Sequence, residues 1–260
     1  MGAVIRRHDE GRVRVLTLDR PDSLNALNSP MLFALEDHFA EIEADDGVGC
    51  VVIRGAGARA FCAGADLDEI RGLDYEAAHR FLSRGHRVMT AIANARVPVV
   101  AAVDGWALGG GFELMLACHI VVATESSRFG LPEAKIGCMP GFGGTQRLLH
   151  AVGRPVALRI MLSGEPIDAP TAWQVGLLSQ PPMPSADLAV TVRALSESIA
   201  SGSRTGTKRI LDAAAAAARP AALDYEAALA AASIASADGQ EGIAAFAERR
   251  PPIFTRGSTS

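Results

Sequence analysis

The sequence predicts an α/β protein that turns wholly helical toward its C-terminus. Three observations carry this. Short apolar runs of strand length recur at residues 13–19, 50–53, 97–103 and 119–123. Between them lies text with helical spacing. After about residue 185 the strand signals stop and alanine-rich text takes over.

The elements follow in order. Val13-Arg14-Val15-Leu16-Thr17-Leu18-Asp19 is rich in β-branched residues, with polar ones interspersed, and reads as a strand. Arg20-Pro21-Asp22-Ser23 is a turn. Ser29-Pro30 is a helix start, with Ser29 as N-cap and proline at the first helical position. Met31, Leu35, Phe39 and Ile42 then recur on one helical face, and Asp45-Asp46-Gly47 closes it. Cys50 to Ile53 and Val97 to Val103 are buried strands. Leu114 to Cys118 reads as helix and His119 to Ala123 as strand. Leu73 to Arg87 holds no readable motif. Leu211 to Ala218 and Leu223 to Ser236 are helical text, and the tail from Gly257 to Ser260 reads as disordered. No sequence repeat is apparent. These changes divide the chain into a core, 1–195, and a helical C-terminal region, 196–260.

Composition narrows the function. With 260 residues and 49% hydrophobic content, the chain can bury a sizeable core. A net charge of −4 gives no basic excess, which argues against general nucleic-acid binding. No apolar run reaches the ~18 residues of a membrane span, and the N-terminus lacks a signal-peptide stretch. A cytoplasmic protein is the expectation. Cys50, Cys62, Cys118 and Cys138 form no C-x-x-C pair and no histidine cluster joins them, so reduced thiols are expected and no metal site.

Two glutamates in distinctive loops carry the chemistry. Gly105-Trp106-Ala107-Leu108-Gly109-Gly110-Gly111-Phe112 leads to Glu113, and Phe129-Gly130-Leu131-Pro132 leads to Glu133. Pro140-Gly141-Phe142-Gly143-Gly144 follows. Two carboxylates can divide the work of general base and general acid. A glycine-dense turn entering a helix leaves N–H groups free for a developing anion. Read alone, each loop is equally a tight turn or a helix-packing spot, and a lone glutamate at a helix start is an ordinary solvated residue. Gly55-Ala56-Gly57-Ala58-Arg59-Ala60 fits a dinucleotide-binding pattern, but Gly64 interrupts the helix such a loop must open into.

Ala63-Gly64-Ala65-Asp66-Leu67, Ala107 to Leu114 and Phe129 to Glu133 together resemble the enoyl-CoA hydratase/isomerase (crotonase) superfamily. Arg20-Pro21 with Asn25-Ala26-Leu27, Pro140 to Leu148, Ala169 to Leu177 and Phe246 to Arg250 agree in order, so the resemblance runs from about residue 4 to 254. It implies a crotonase-type spiral of ββα units followed by a helical C-terminal region that contributes to trimer contacts and the pocket. It implies homotrimers, or hexamers built as dimers of trimers. The ligand implied is an acyl-CoA substrate, with coenzyme A carried by the substrate and no cofactor bound permanently.

Residue by residue, the resemblance places oxyanion donors at the N–H groups of Ala65 and Gly110. Glu113 is the implied base toward water and Glu133 the implied acid toward Cα, with their pKa values split. Ala63, Ala65, Asp66, Leu67, Asp68, Gly110 and Gly141 are the implied substrate-binding residues. Asp22 to Ala26 line the CoA channel, and Arg20, Lys208, Arg249 and Arg250 are candidates for its phosphates. The sequence departs from the family at Asp68, where a lysine is frequent, at His119, where an aspartate is usual, and at Leu131, where a polar residue is common. Keeping both glutamates favours hydration. An isomerase needing one base, or an acyl-CoA-binding protein without turnover, are the alternatives.

Overall fold

The computed structural model describes residues 3–202, 204–217, 230–232 and 234–253. The first strand pair sets the frame. β1 (Ile5–Glu10), which the sequence pattern did not single out, pairs antiparallel with β2 (Val13–Leu18). β1 is mostly solvent-facing, so it lacks the apolar run that marks a strand. β2 then pairs in parallel with β3 (Cys50–Gly55), β3 with β5 (Val99–Val103), and β5 with β7 (Ile120–Ala123). These form one five-stranded sheet.

A second sheet collects the shortest strands. β4 (Ala60–Cys62), β6 (Trp106–Leu108) and β8 (Arg128–Gly130) are parallel neighbours, and β9 (Ile167–Asp168) closes the edge antiparallel. Chain order explains the architecture. β3 in the first sheet is followed by β4 in the second, then helices α2 (Leu67–Ile70) and α3 (Tyr75–Ala93). β5, β6 and α4 (Gly110–Ala117) repeat that order, and β7 and β8, a 3-10 turn at Pro132–Ile136 and α5 (Gly144–Val152) repeat it again. Each ββα unit adds one strand to each sheet beside its predecessor. This is the expected spiral, and it recurs without a sequence repeat because each unit meets different neighbours.

Both faces of the five-stranded sheet are covered. Leu16, Leu18, Val51, Ile53, Val99, Ala101 and Val103 face the main core with α1 (Ser29–Ala44) and α3. Val13, Cys50, Val52, Val100, Ala102 and Val122 face the opposite way, against Leu188, Val192 and Ala200 of a helix at Ser185–Ala200. Two buried faces give continuous apolar strands, which is why β3 and β5 read so clearly in sequence. The Ser185–Ala200 helix runs through position 195 and lies on the core sheet.

Local details correct three expectations. Asn28, and not Ser29, caps α1: its side chain accepts from Met31 N at 3.0 Å. α4 begins at Gly110, four residues before Leu114, because the glycine loop is itself the first turn. Leu73 to Arg87, without a motif, falls largely in the long helix α3, capped by Asp74. The first alanine-rich stretch lies in a helix at Arg204–Ala217. Residue 218 at the end of that stretch, residues 223–229 and 233 of the second, and the tail from 254 lie outside the described residues.

Candidate active site

The site forms where β4 and β6 end side by side. Gly64 follows β4 with φ +112°, and Gly109 follows β6 with φ +49°, backbone that other residues rarely adopt. The two turns touch. A methyl group added at Gly64 would lie 3.5 Å from Gly110 N, and one added at Gly110 would lie 3.4 Å from Ala65 N. The N–H groups of Ala65 and Gly110 therefore sit close to each other. Neither takes part in the turn and loop hydrogen bonds of the described residues. Gly110 also opens α4, whose positive end adds to the local potential.

A clamp holds the Ala65 side. Asp66 caps α2, accepting from Asp68 N at 3.1 Å, and pairs with Arg20 at 2.8 Å. Arg20 also donates to Ala26 O at 2.7 Å. Leu27 N donates to Gly64 O at 2.7 Å, and Asp66 N to Leu27 O at 2.9 Å. Asn25 points inward and donates to Ala56 O and Ala60 O. The Arg20 to Leu27 signature thus works as scaffolding for the loop. Arg20 spends its guanidinium on Asp66 and Ala26.

Glu113 stands one turn into α4, with 2% of its surface exposed. Its Oε1 accepts from Phe142 N at 2.8 Å and Gly144 N at 2.7 Å. Gly144 opens α5, so the carboxylate lies at a second helix N-terminus, where negative charge is favoured. Sequence reasoning assigned a helper role to Gly141 and missed these two donors. The signal was present: Gly143-Gly144 before a helix announces exposed N–H groups. Gly141 lies beside α3, where an added methyl would lie 2.6 Å from Leu82 Cδ2.

Glu133 enters from the 3-10 turn. Its Oε1 abuts Gly109, where an added methyl would come within 2.9 Å, and its Oε2 is shielded from solvent. The buried Leu131 precedes that turn, directly before Pro132. Both carboxylates thus flank the first turn of α4, beside the paired N–H groups. Ala63 and Leu67 border the same loop, both half-buried. Asp68 does not turn inward: its side chain is 89% exposed and faces Arg71.

This arrangement places two backbone N–H groups beside a buried carboxylate and a second, half-buried one. Such a site can polarise a carbonyl and move protons at the carbons beside it. The enoyl-CoA hydratase/isomerase family model matches residues 8–257. The chain belongs to the enoyl-CoA hydratase/isomerase family. It is 38% identical over 247 residues to a probable enoyl-CoA hydratase of Mycobacterium bovis, covering 94% of this chain and 95% of that one. It is 38% identical over 245 residues to the 2,3-dehydroadipyl-CoA hydratase of Escherichia coli, at 94% and 95% coverage. A crystal structure of an enoyl-CoA hydratase from Mycobacterium avium subsp. paratuberculosis K-10 superposes with a TM-score of 0.88 at 33% identity, covering 97% of this chain and 99% of that one.

The remaining expectations fall outside this centre. His119 is structural: its Nδ1 accepts from Val99 N at 3.0 Å and its Nε2 lies 3.1 Å from Ala93 O, joining the end of α3 to β5. Arg250 pairs with Glu241 and Glu248, and Lys208 with Asp212. Arg249 is exposed. Burial pushes the Cys62 thiol up to about 12, so this nearby thiol stays protonated. Among the described residues no histidine, cysteine or carboxylate cluster could hold a metal, and no helix is long and apolar enough to cross a membrane.

Proposed function

We propose that this member of the family is an enoyl-CoA hydratase, a hydro-lyase adding water reversibly to a trans-2-enoyl-CoA thioester. The observation that carries the reading is the pair of carboxylates, Glu113 and Glu133, on the turn that also presents the Gly110 N–H. The thioester oxygen binds between the N–H groups of Ala65 and Gly110. Each such donor is worth about 3 kcal/mol to a developing oxyanion.

The asymmetry of the carboxylates supports their division of labour. Glu113 receives two backbone N–H groups at a helix N-terminus, which stabilises its ionised form. It takes a proton from water as the water oxygen bonds to Cβ. The π electrons move through Cα to the thioester oxygen. Glu133, whose Oε2 is shielded from solvent, supplies the proton that Cα gains as the carbonyl re-forms. The product is a 3-hydroxyacyl thioester, and proton return from Glu113 to Glu133 through solvent resets the site.

Coenzyme A arrives with the substrate, past Ala63 and Asp66 to Asp68, and no resident cofactor is needed. The C-terminal region would contribute to the pocket, a reading in keeping with Ala230, whose Cβ lies 3.0 Å from a methyl added at Gly141. A homotrimer or dimer of trimers in the cytoplasm completes the reading, and native mass measurement tests the assembly.

The deciding experiment follows the conjugated-thioester absorbance of crotonyl-CoA with wild type, Glu113→Gln and Glu133→Gln. Rapid loss with wild type, abolished in both variants, is the expected result. Wild-type turnover that survives in Glu113→Gln would favour an isomerase-like, one-base chemistry. Tight acyl-CoA binding without turnover across chain lengths would mean a binding protein.

A further inference from the structure

The wall beside the paired N–H groups is a single aromatic ring. Phe142 is 1% exposed. A methyl group added at Gly110 would come within 2.9 Å of Phe142 Cδ2 and 3.0 Å of Cε2. The ring therefore lies against the residue whose N–H receives the thioester oxygen. Its other edge enters a notch in α3, where a methyl at Gly85 would lie 2.1 Å from Cε1 and 2.2 Å from Cδ1. Phe81, one helical turn earlier, packs on the same ring at 5.6 Å between centroids.

Phe142 has little freedom to swing aside. Its N–H donates to Glu113 Oε1, and its carbonyl accepts from Arg147 Nη1 at 2.9 Å. The backbone is thus fixed at both ends by hydrogen bonds, and the ring is wedged between Gly85, Phe81 and Gly110. Gly141 before it is closed off by Leu82 and Ala230. A ring locked this way stands between the Gly110 turn and α3, on the residue whose N–H holds Glu113.

We propose that Phe142, seated in the Gly85 notch of α3, is the acyl-length determinant, and that the substrates are short, unbranched 2-enoyl thioesters of about four to six carbons. The inference rests on the hydratase reading above and names its substrate class. Each methylene that meets an immovable wall costs overpacking strain, so discrimination is steep.

The test measures kcat/KM for 2-butenoyl-, 2-hexenoyl- and 2-decenoyl-CoA with wild type, Phe142→Ala, Gly85→Ala and the double variant, after thermal melting confirms folding. Wild type should favour the four-carbon over the ten-carbon substrate by about tenfold or more. Phe142→Ala should raise the ten- to four-carbon ratio by about tenfold. Gly85→Ala, which drives the ring toward Gly110, should lower the six- to four-carbon ratio, and the double variant should recover it. Ratios unchanged in both single variants, with hydration intact, would overturn the inference and leave the hydratase reading standing. A wild type that prefers the ten-carbon substrate would do the same. Absence of turnover by wild type with every thioester would overturn the hydratase reading itself.

Discussion

Gly144 N donates to Glu113 Oε1 at 2.7 Å, so the start of α5 fixes the carboxylate that α4 presents. A methyl group at Gly144 would lie 2.8 Å from that oxygen and 3.0 Å from Glu113 Cγ. Gly144→Ala should therefore displace the Glu113 carboxylate while leaving the scaffold folded. The expected result is a fall in kcat of about ten- to a hundredfold with crotonyl-CoA. A melting curve alongside separates this from global destabilisation. Unchanged kcat would mean that Glu113 tolerates repositioning.

The two carboxylates should act as a unit. Glu113→Gln and Glu133→Gln should each lower kcat by about 10²- to 10⁴-fold. Their costs should not add, because loss of either already stops concerted proton traffic. The Glu113→Gln/Glu133→Gln double variant should be only slightly slower than the worse single one. A fully multiplicative loss would show that each residue contributes independently.

Asp66 carries two roles at once, as the cap of α2 and the partner of Arg20. Asp66→Ala should cost about 1–3 kcal/mol of stability, read as a lower urea midpoint. It should also loosen the turn that presents Ala65 N–H and lower kcat/KM. Asp66→Asn keeps a capping oxygen and loses the charge, so it should lie between the two. Equal effects of both substitutions would assign the whole role to the charge pair.

Arg14 is 1% exposed yet charged, spanning Asp9 at 3.0 Å and Asp45 at 2.7 Å. Its guanidinium, with that of Arg7, holds the Asp9 carboxyl well below the usual carboxylate range. Arg14→Met should cost about 1–3 kcal/mol at pH 7, less than a fully buried pair because both carboxylates reach solvent. Asp9 contributes stability above its ordinary value near 3.8, lost as pH falls through that value and below. The variant should lose less stability than wild type on acidification below pH 4.

His119 gives the opposite end of the pH profile. Burial lowers its pKa from the ordinary 6.5, outweighing the opposing hydrogen bond to Ala93 O. The unfolded chain then binds the extra proton below 6.5 and the folded chain does not. Stability is full above 6.5 and declines as pH falls from there toward the lowered folded value. Half-buried His38, its pKa lowered mainly by desolvation, adds to the slope. His119→Asn should flatten the dependence of melting temperature between pH 7.5 and 5.5, and an unaltered slope would assign it to other groups.

The sequence by itself determined the elements whose signal is local. β2, β3 and β5 are apolar runs because the sheet they build is covered on one or both faces. The glycine loops before Glu113 and α5 are legible because only glycine tolerates those turns and close approaches. The ordered set of loops also singled out both glutamates, Ala65 and Gly110, and the fold places them near one another.

Only the tertiary structure decided what depends on partners distant in sequence. β4, β6, β8 and β9 are two to three residues long, too short for any period, and exist because they pair with one another. α3 shows no motif, since its Gly85 has meaning only when the ring of Phe142, 57 positions later, lies in the notch. The hydrogen-bond donors of Glu113 come from the start of α5 and the loop before it, and Arg20 is taken up by Asp66, 46 positions away. Backbone conformation is written locally, whereas which carboxylate a free N–H meets, and which cation is already neutralised, is set by chain segments that only folding brings together.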